Sequence, residues 1–226
     1  MSDSRTTGSD TLLLASTSTA IARVLKPYAR QLQGKRMAFI PTASDAETYG
    51  IANRLARWRF ACMGIDVHMV NVAREPYETI SGELRLADAI YVCGGNTFHL
   101  MHHLNASGAS VLIRNKVARG ALYIGESAGA LAASPDVGYI AAMDDDRIAG
   151  YTQGLALTRY RVIPHMGALM LGNAAARIYA EHQSDSRYVA LRNTQALVVS
   201  NTQARVIDAT SHFAIGVEHT GFFGLT

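Results

Sequence analysis

The stretch that decides the fold is Gly120-Ala-Leu-Tyr-Ile-Gly-Glu-Ser-Ala-Gly-Ala130, in which an apolar run enters the pentapeptide Gly125-Glu-Ser-Ala-Gly129 and small residues leave it. The pentapeptide matches G-x-S-x-G, a sharp turn from a strand into a helix that holds its serine in a strained conformation. Small neighbours let the strand and the helix approach closely, and the helix N-terminus points N–H groups at a developing anion. The pattern therefore predicts Ser127 as a nucleophile, with an ordinary helix-capping serine as the alternative.

Short apolar runs alternate along the chain with longer segments that repeat at helical spacing. The predicted strands lie at 11–15, 37–40, 66–70, 89–93 and 121–124, and the predicted helices at 21–32, 46–63, 97–104 and 108–117. This order predicts an α/β fold with a mostly parallel sheet and helices on both faces. Three short runs at 196–200, 204–207 and 213–217 predict antiparallel strands added near the C-terminus. We expect a flexible tail at 1–10 and a single domain over 11–226.

The composition narrows the classes of function. With 226 residues, 49% of them apolar and 17% charged, the chain can bury one large core. The net charge of +3 is small and the 21 lysines and arginines are scattered, so we expect no nucleic-acid partner. No run approaches the roughly 18 apolar residues of a membrane span, so no membrane partner is expected. Two cysteines, Cys62 and Cys93, are too few for a disulfide framework, which favours the cytoplasm. We expect a monomer or homodimer.

A serine hydroxyl needs a base, and His165 is the best placed of the eight histidines. It follows a strand-like run at 160–163 and Pro164, so we expect it at a strand end; a buried structural histidine is the alternative. His99 and His103 are spaced to bind a metal, but we find no third ligand. With His102, they are predicted to lie exposed on a helix surface. We therefore expect no metal site at these histidines.

Acyl transfer also needs N–H donors for the oxyanion. The amide of Ala128 follows the nucleophile, and the glycine turn at Gly94 and Gly95 is the natural source of a second donor. An ordinary tight turn before a helix is the alternative for these glycines. Asn96 or Thr97 is placed to cap that helix, and Asn96 is also a candidate substrate-binding residue.

Three motifs, in order along the chain, resemble the peptidase E (α-aspartyl dipeptidase) family, to which cyanophycinases are related. They are Cys93-Gly-Gly-Asn-Thr-Phe-His-Leu100, the elbow stretch from Gly120 to Ala130, and Ile163-Pro-His165. The resemblance extends from about Leu12 to Ile207, and includes Leu32-Gln-Gly-Lys35 followed by Phe39-Ile-Pro41. It implies a class I glutamine amidotransferase-like fold, a flavodoxin-like sandwich. It also implies cleavage of small peptides with no metal or organic cofactor. The implied roles are Ser127 as nucleophile, His165 as base, and Gly95 with Ala128 as oxyanion hole.

Two positions depart from the family's pattern. Glu126 replaces the tryptophan that precedes the family's serine. It is a candidate to bind the α-ammonium group of a peptide, or alternatively to pair with an arginine. The family's third triad member is a glutamate, and Asn193 stands at the matching position. Asp136, or an acid of the run Asp144-Asp-Asp146, is the alternative third member.

Two other functions compete with a small-peptide hydrolase. An esterase of the α/β-hydrolase type shares G-x-S-x-G, but its histidine lies later in the chain than His165. A weakly catalytic binding or regulatory protein on the same fold is favoured by the asparagine at position 193. A serine at the elbow, where glutaminases of this fold carry cysteine, argues against an amidotransferase. The first residue of the substrate, aspartate or another, is left open.

Overall fold

An eight-stranded mixed sheet forms the centre of the molecule in a computed structural model that describes residues 10–46, 50–144, 152–200, 203–210 and 214–216. Its strands are β1 (Asp10–Ala15), β2 (Arg36–Ile40), β3 (Asp66–Met69), β4 (Ala89–Val92), β5 (Leu122–Glu126), β8 (Gln195–Ser200), β9 (Ala204–Asp208) and β10 (Ala214–Gly216). Across the sheet they follow the order β10-β9-β8-β1-β5-β4-β2-β3. The first five pair in parallel, and β8, β9 and β10 continue the sheet antiparallel from β1. The predicted α/β fold is confirmed.

Helices cover both sides of this sheet. They are α1 (Ser18–Val24), α2 (Ala29–Leu32), α3 (Gly50–Cys62), α4 (Tyr77–Leu86), α5 (Thr97–Ala106), α6 (Ala109–Ala118), α7 (Ala128–Ala132) and α8 (Gly172–His182). The central strand β4 is buried at every position, and Phe39, Tyr91 and Tyr123 are among the largest fully buried side chains. A parallel strand covered on both faces is apolar throughout, which explains the continuous apolar runs of the sequence.

Two expected boundaries are wrong for physical reasons. The helix predicted over 21–32 is interrupted by a 3-10 turn, Lys26–Tyr28, because Pro27 lacks an N–H and disfavours helix at the residue before it. The predicted tail extends one residue too far, since Asp10 already belongs to β1. The rest of the predicted tail lies outside the described residues. No helix in the described ranges is long and apolar enough to cross a bilayer.

A second, two-stranded parallel sheet stands apart from the first. It pairs β6 (Arg161–Met166) with β7 (Tyr188–Arg192), and α8 packs against it. The sequence predicts His165 at the end of a strand over 160–163. The strand continues through Pro164 to Met166, so His165 is the penultimate residue of β6 and lies within an irregularity of the pairing between Ile163 and Met166. Such an irregularity redirects a side chain out of the strand's regular alternation.

The carboxyl ends of the central strands meet at one edge of the large sheet. Ala15 of β1 is paired with Glu126 of β5, and Val92 of β4 with Gly125 of β5. The backbone N–H of Ser127 donates to the carbonyl of Ala15 at 2.9 Å. In open parallel sheets this edge is where ligands bind, and the residues that follow β1, β4 and β5 therefore share one site.

Candidate active site

Ser127 occupies a strained elbow between β5 and α7. Its backbone dihedrals, φ 48° and ψ −107°, lie in a region that residues other than glycine rarely adopt. Close packing holds it there: a Cβ at Gly129 would lie 2.2 Å from the carbonyl oxygen of Val92, so only glycine fits. Strain of this kind persists where the surrounding structure fixes it, and it is concentrated at functional sites.

His165 meets this serine from the second sheet. The Nε2 atom of His165 lies 2.9 Å from the Oγ atom of Ser127, within hydrogen-bonding distance. The backbone of His165 also has a positive φ, 64°, which turns its ring away from the strand. Two residues in unfavourable backbone regions thus present their side chains to each other. This contact is what a general base needs in order to take a proton from a serine hydroxyl.

Asn193 lies behind the imidazole. It follows β7 directly, and the pairing of Met166 with Arg192 brings it beside His165. Its Oδ1 atom is 3.0 Å from Nδ1 of His165. An amide oxygen only accepts, so this bond requires the proton on Nδ1 and leaves Nε2 free to accept from Ser127. The backbone carbonyl of Asn193 accepts from the hydroxyl of Thr17 at 2.7 Å, which holds the loop in place.

Ser16, which the sequence did not single out, connects these groups. It is fully buried just after β1. Its hydroxyl accepts from the backbone N–H of His165 at 2.9 Å and donates to Oδ1 of Asn193 at 3.3 Å. The amide oxygen of Asn193 thus accepts both the hydroxyl proton of Ser16 and the proton on Nδ1 of His165.

The acids considered as alternative third members either bond to other groups or lie outside the described residues. The carboxylate of Asp136 binds Arg161 through two hydrogen bonds. Asp144 accepts from the backbone N–H of Thr97 at 2.8 Å, at the start of α5. Burial raises the pKa of Asp144, and this N–H bond opposes the shift. Asp145 and Asp146 lie outside the described residues. Of the described candidates, Asn193 alone hydrogen-bonds the ring of His165.

The two candidate oxyanion donors, Ala128 and Gly95, follow the carboxyl ends of β5 and β4. Ala128 is the first residue of α7, where an N–H has no partner within its own helix. Gly95 follows β4 with a φ of 138°, and a Cβ there would lie 2.1 Å from the carbonyl oxygen of Ala43. Gly94 packs against the elbow, since a Cβ on it would meet the Cβ of Ser127 at 3.3 Å. Gly94, Gly95 and Ser127 line one cavity.

Glu126 turns its side chain toward the same cavity from the end of β5. Its Oε2 atom accepts from the hydroxyl of Tyr91, and the backbone N–H of Ser18 also donates to the carboxylate. Burial raises the pKa of Glu126, while these bonds and the nearby His165 and Arg59 oppose the shift. Arg59 acts through its charge without an ion-pair contact. Among the described residues Glu126 thus forms no ion pair with an arginine, and its carboxylate is held by Tyr91 and Ser18 instead.

The cavity has a volume of about 430 Å³. The charged or titratable side chains that line it are Glu126, Asp144 and His165, and no lysine or arginine of the described residues joins them. Asn96 is not among the lining residues: it is buried, and its Oδ1 atom accepts from the N–H of His99 at 2.8 Å as the cap of α5. Position 96 therefore helps to form the glycine turn and helix start, rather than the cavity wall.

The three histidines of α5 are half-buried, so their predicted exposure is wrong. His99 and His103 have ring centroids 4.5 Å apart, and His103 also contacts His102. Burial lowers the pKa of His99 and of His103, which favours neutral rings. Among the described residues no group of three or more His, Cys, Asp or Glu side chains is placed to hold a metal ion.

Burial also raises the pKa of Cys93 to about 12, so this thiol beside the glycine turn stays protonated.

Comparisons with known proteins identify the family of this chain. A sequence profile of peptidase family S51 matches residues 7–207. An uncharacterised peptidase of Listeria innocua is 33% identical over 85% of this chain and 93% of its own length. Peptidase E of a Nostoc species is 34% identical over 72% of this chain and 68% of its own. A crystal structure of a candidate peptidase E from Listeria monocytogenes EGD-e matches with a TM-score of 0.81 and 30% identity, over 88% of this chain and 98% of that one. Because the profile spans well over half of its length, this chain belongs to peptidase family S51, a family of serine peptidases.

Proposed function

We propose that this serine peptidase hydrolyses small peptides through an acyl-enzyme on Ser127, with His165 as its general base and acid. The observation that carries the proposal is the 2.9 Å contact between Oγ of Ser127 and Nε2 of His165, formed by two residues held in strained backbone conformations. Asn193 is the proposed third member, because its amide oxygen holds the imidazole in the tautomer that accepts at Nε2.

In the proposed reaction, Oγ of Ser127 bonds to the peptide carbonyl carbon as its proton passes to Nε2 of His165. The N–H groups of Gly95 and Ala128 stabilise the resulting oxyanion, each worth about 2.7–4 kcal/mol of barrier by comparison with other oxyanion holes. The C–N bond then breaks, and His165 gives its proton to the leaving amine. Water then bonds to the ester carbon while Nε2 of His165 takes its proton. The bond between that carbon and Oγ breaks, His165 returns the proton to Oγ of Ser127, and the acid product leaves.

A fluorophosphonate probe tests the activated nucleophile. We expect the phosphorus to bond to Oγ of Ser127 with loss of fluoride, and peptide mapping to find the label on Ser127 alone. His165→Ala should slow labelling by about 100-fold or more, because a general base contributes at least that factor. A folded protein that does not react with the probe would refute the proposed chemistry. Turnover of matched ester and amide substrates separates an esterase from a peptidase.

We further propose that the carboxylate of Glu126 binds the α-ammonium group of the substrate. The carboxylate lines the cavity next to the nucleophile and has no ion-pair partner among the described residues. Glu126→Gln keeps the size and the acceptor for Tyr91 but removes the charge. We expect kcat/KM to fall about tenfold or more for a free peptide, and far less for its N-acetylated form, because only the free peptide carries the ammonium. Equal losses on the two substrates would contradict this role.

The stability of the Glu126→Gln variant provides a control. The raised pKa of Glu126 means that the folded protein binds this proton more tightly than the unfolded chain does. Ionisation therefore destabilises the fold once the pH rises through the folded pKa, and below the unfolded pKa it has no effect. We expect the variant to have a higher Tm than the parent near pH 7, with the difference disappearing near pH 4. Calorimetry at both pH values shows whether lost activity comes from misfolding.

The preference for aspartate at the first position, which the family resemblance implies, stays a prediction. Only the family match supports a preference for aspartate. The described lining of the cavity offers carboxylates rather than a cation to an acidic side chain. A panel of peptides that differ in the first residue, including aspartate, is the direct measurement.

A further inference from the structure

We propose that the side of the cavity next to His165 is an apolar subsite for the residue directly after the scissile bond, so that peptides with a large apolar residue there are preferred. The subsite consists of Met143, Met170 and Leu171. It rests on the proposed peptidase mechanism, because that mechanism fixes which side of the cavity the leaving group occupies.

The direction follows from the proton transfers. The leaving amine receives its proton from Nε2 of His165, so its nitrogen must lie within hydrogen-bonding distance of that atom. The oxyanion donors Gly95 and Ala128 come instead from the ends of β4 and β5. The part of the substrate beyond the scissile bond therefore runs over the elements that carry His165, namely β6 and the turn into α8.

The apolar lining residues belong to this same side. Met170 and Leu171 lie in the turn between β6 and α8, and this turn is tied to His165 because the N–H of Ala168 donates to the carbonyl of His165 at 3.0 Å. Met143 packs against the small cluster formed by Ile163, Ala175 and Ile178 behind β6. Glu126 and Ser18, by contrast, line the cavity from the ends of β5 and β1.

The exposure of the turn is a second, independent observation. Met170 is 91% exposed and Leu169 is 102% exposed, the two highest values among the large apolar side chains that the structure describes. A solvated apolar side chain at the mouth of a cavity gains when a ligand covers it. Met170 lines the cavity whereas Leu169 does not, so the pair supplies a test residue and a matched control.

Thioether side chains also suggest how broad the preference is. Methionine is unbranched and adapts its shape to what it covers, so a wall that contains Met143 and Met170 accepts Leu, Ile, Met and Phe with similar efficiency. An acidic side chain would lose hydration against this wall without gaining a partner, because no lysine or arginine of the described residues lines the cavity. We therefore expect discrimination between apolar and acidic leaving residues, and little discrimination among large apolar ones.

The experiment compares peptides with one fixed first residue and Ala, Leu, Phe, Glu or Lys at the second position. For the parent protein we expect kcat/KM to be about tenfold higher with Leu or Phe than with Ala, in the range that added methylenes give in apolar pockets. Met170→Ala should reduce this preference several-fold, and Leu169→Ala should leave it unchanged. Met170→Lys should raise the relative rate for Glu, since it places a cation where the leaving residue lies.

The outcomes separate the subsite from the mechanism. If the parent hydrolyses the Ala, Leu and Glu peptides at equal rates, or if Met170→Ala changes nothing, the subsite is refuted while the peptidase mechanism stands. If Leu169→Ala has the same effect as Met170→Ala, the turn acts through its general conformation and the assignment to Met170 is wrong. A protein that reacts with the fluorophosphonate yet cleaves no peptide would overturn both.

Discussion

Replacing Ser127 with alanine is expected to lower kcat by about 10⁴–10⁶-fold, the range found when the nucleophile of other serine triads is removed. The loss is this large because every bond-forming step of the proposed reaction uses the Oγ atom. Alanine keeps the Cβ of Ser127 and removes only its hydroxyl, and the tight packing at Gly129 is unchanged, so the elbow should stay folded. Initial rates on the best peptide of the panel measure the loss, and calorimetry measures the fold.

The matched control is Ser200→Ala, which removes a hydroxyl from the far end of β8. That hydroxyl bonds locally to the backbone of Gln203, and its loss should change kcat less than twofold. A Ser127→Ala variant that retains more than about a hundredth of the parent's kcat would show that hydrolysis proceeds without the serine. Binding of the substrate to Ser127→Ala should persist, because the other groups that line the cavity are untouched.

The elbow was predictable from sequence because its requirements are local. The narrow space between β5 and α7 requires small residues at fixed positions around the serine. At Gly129, for example, a Cβ would clash with the backbone of Val92. The parallel order of the sheet was predictable for a similar reason, since each apolar run is followed by a segment of helical spacing. Pro27 was also a local signal, and its interruption of the predicted helix could have been anticipated.

The setting of His165 depended on pairings between distant residues, which a sequence pattern does not contain. β6 and β7 form a separate sheet, and their register places Asn193 beside His165. These two residues are 28 positions apart in the sequence. Ser16 has no signature, because a serine after a strand is common. The apolar pattern of β4 predicts Tyr91 as a core residue. It does not indicate that the hydroxyl of Tyr91 donates to Glu126.

Asn193→Ala is the second substitution expected to have a large effect, a fall in kcat of about 10²–10³-fold. Loss of the amide oxygen leaves Nδ1 of His165 without its acceptor, so the ring can rotate and populate the tautomer that donates at Nε2. The loss should be smaller than the roughly 10⁴-fold seen when a triad carboxylate is replaced by an amide, for two reasons. Asn193 is exposed to water, which competes for Nδ1, and Ser16 still anchors the backbone of His165.

Asn193→Asp distinguishes orientation of the ring from stabilisation of its charge. A carboxylate orients the imidazole as the amide does, and also favours the protonated ring that forms during the reaction. We therefore expect kcat to rise, and the acid limb of the kcat/KM profile to move to higher pH. A neighbouring surface change, Arg192→Ala, should alter neither. If Asn193→Ala retains the parent's kcat, the imidazole is oriented by something other than this amide. If it raises KM and leaves kcat unchanged, position 193 contacts the substrate and is not the third member of the triad.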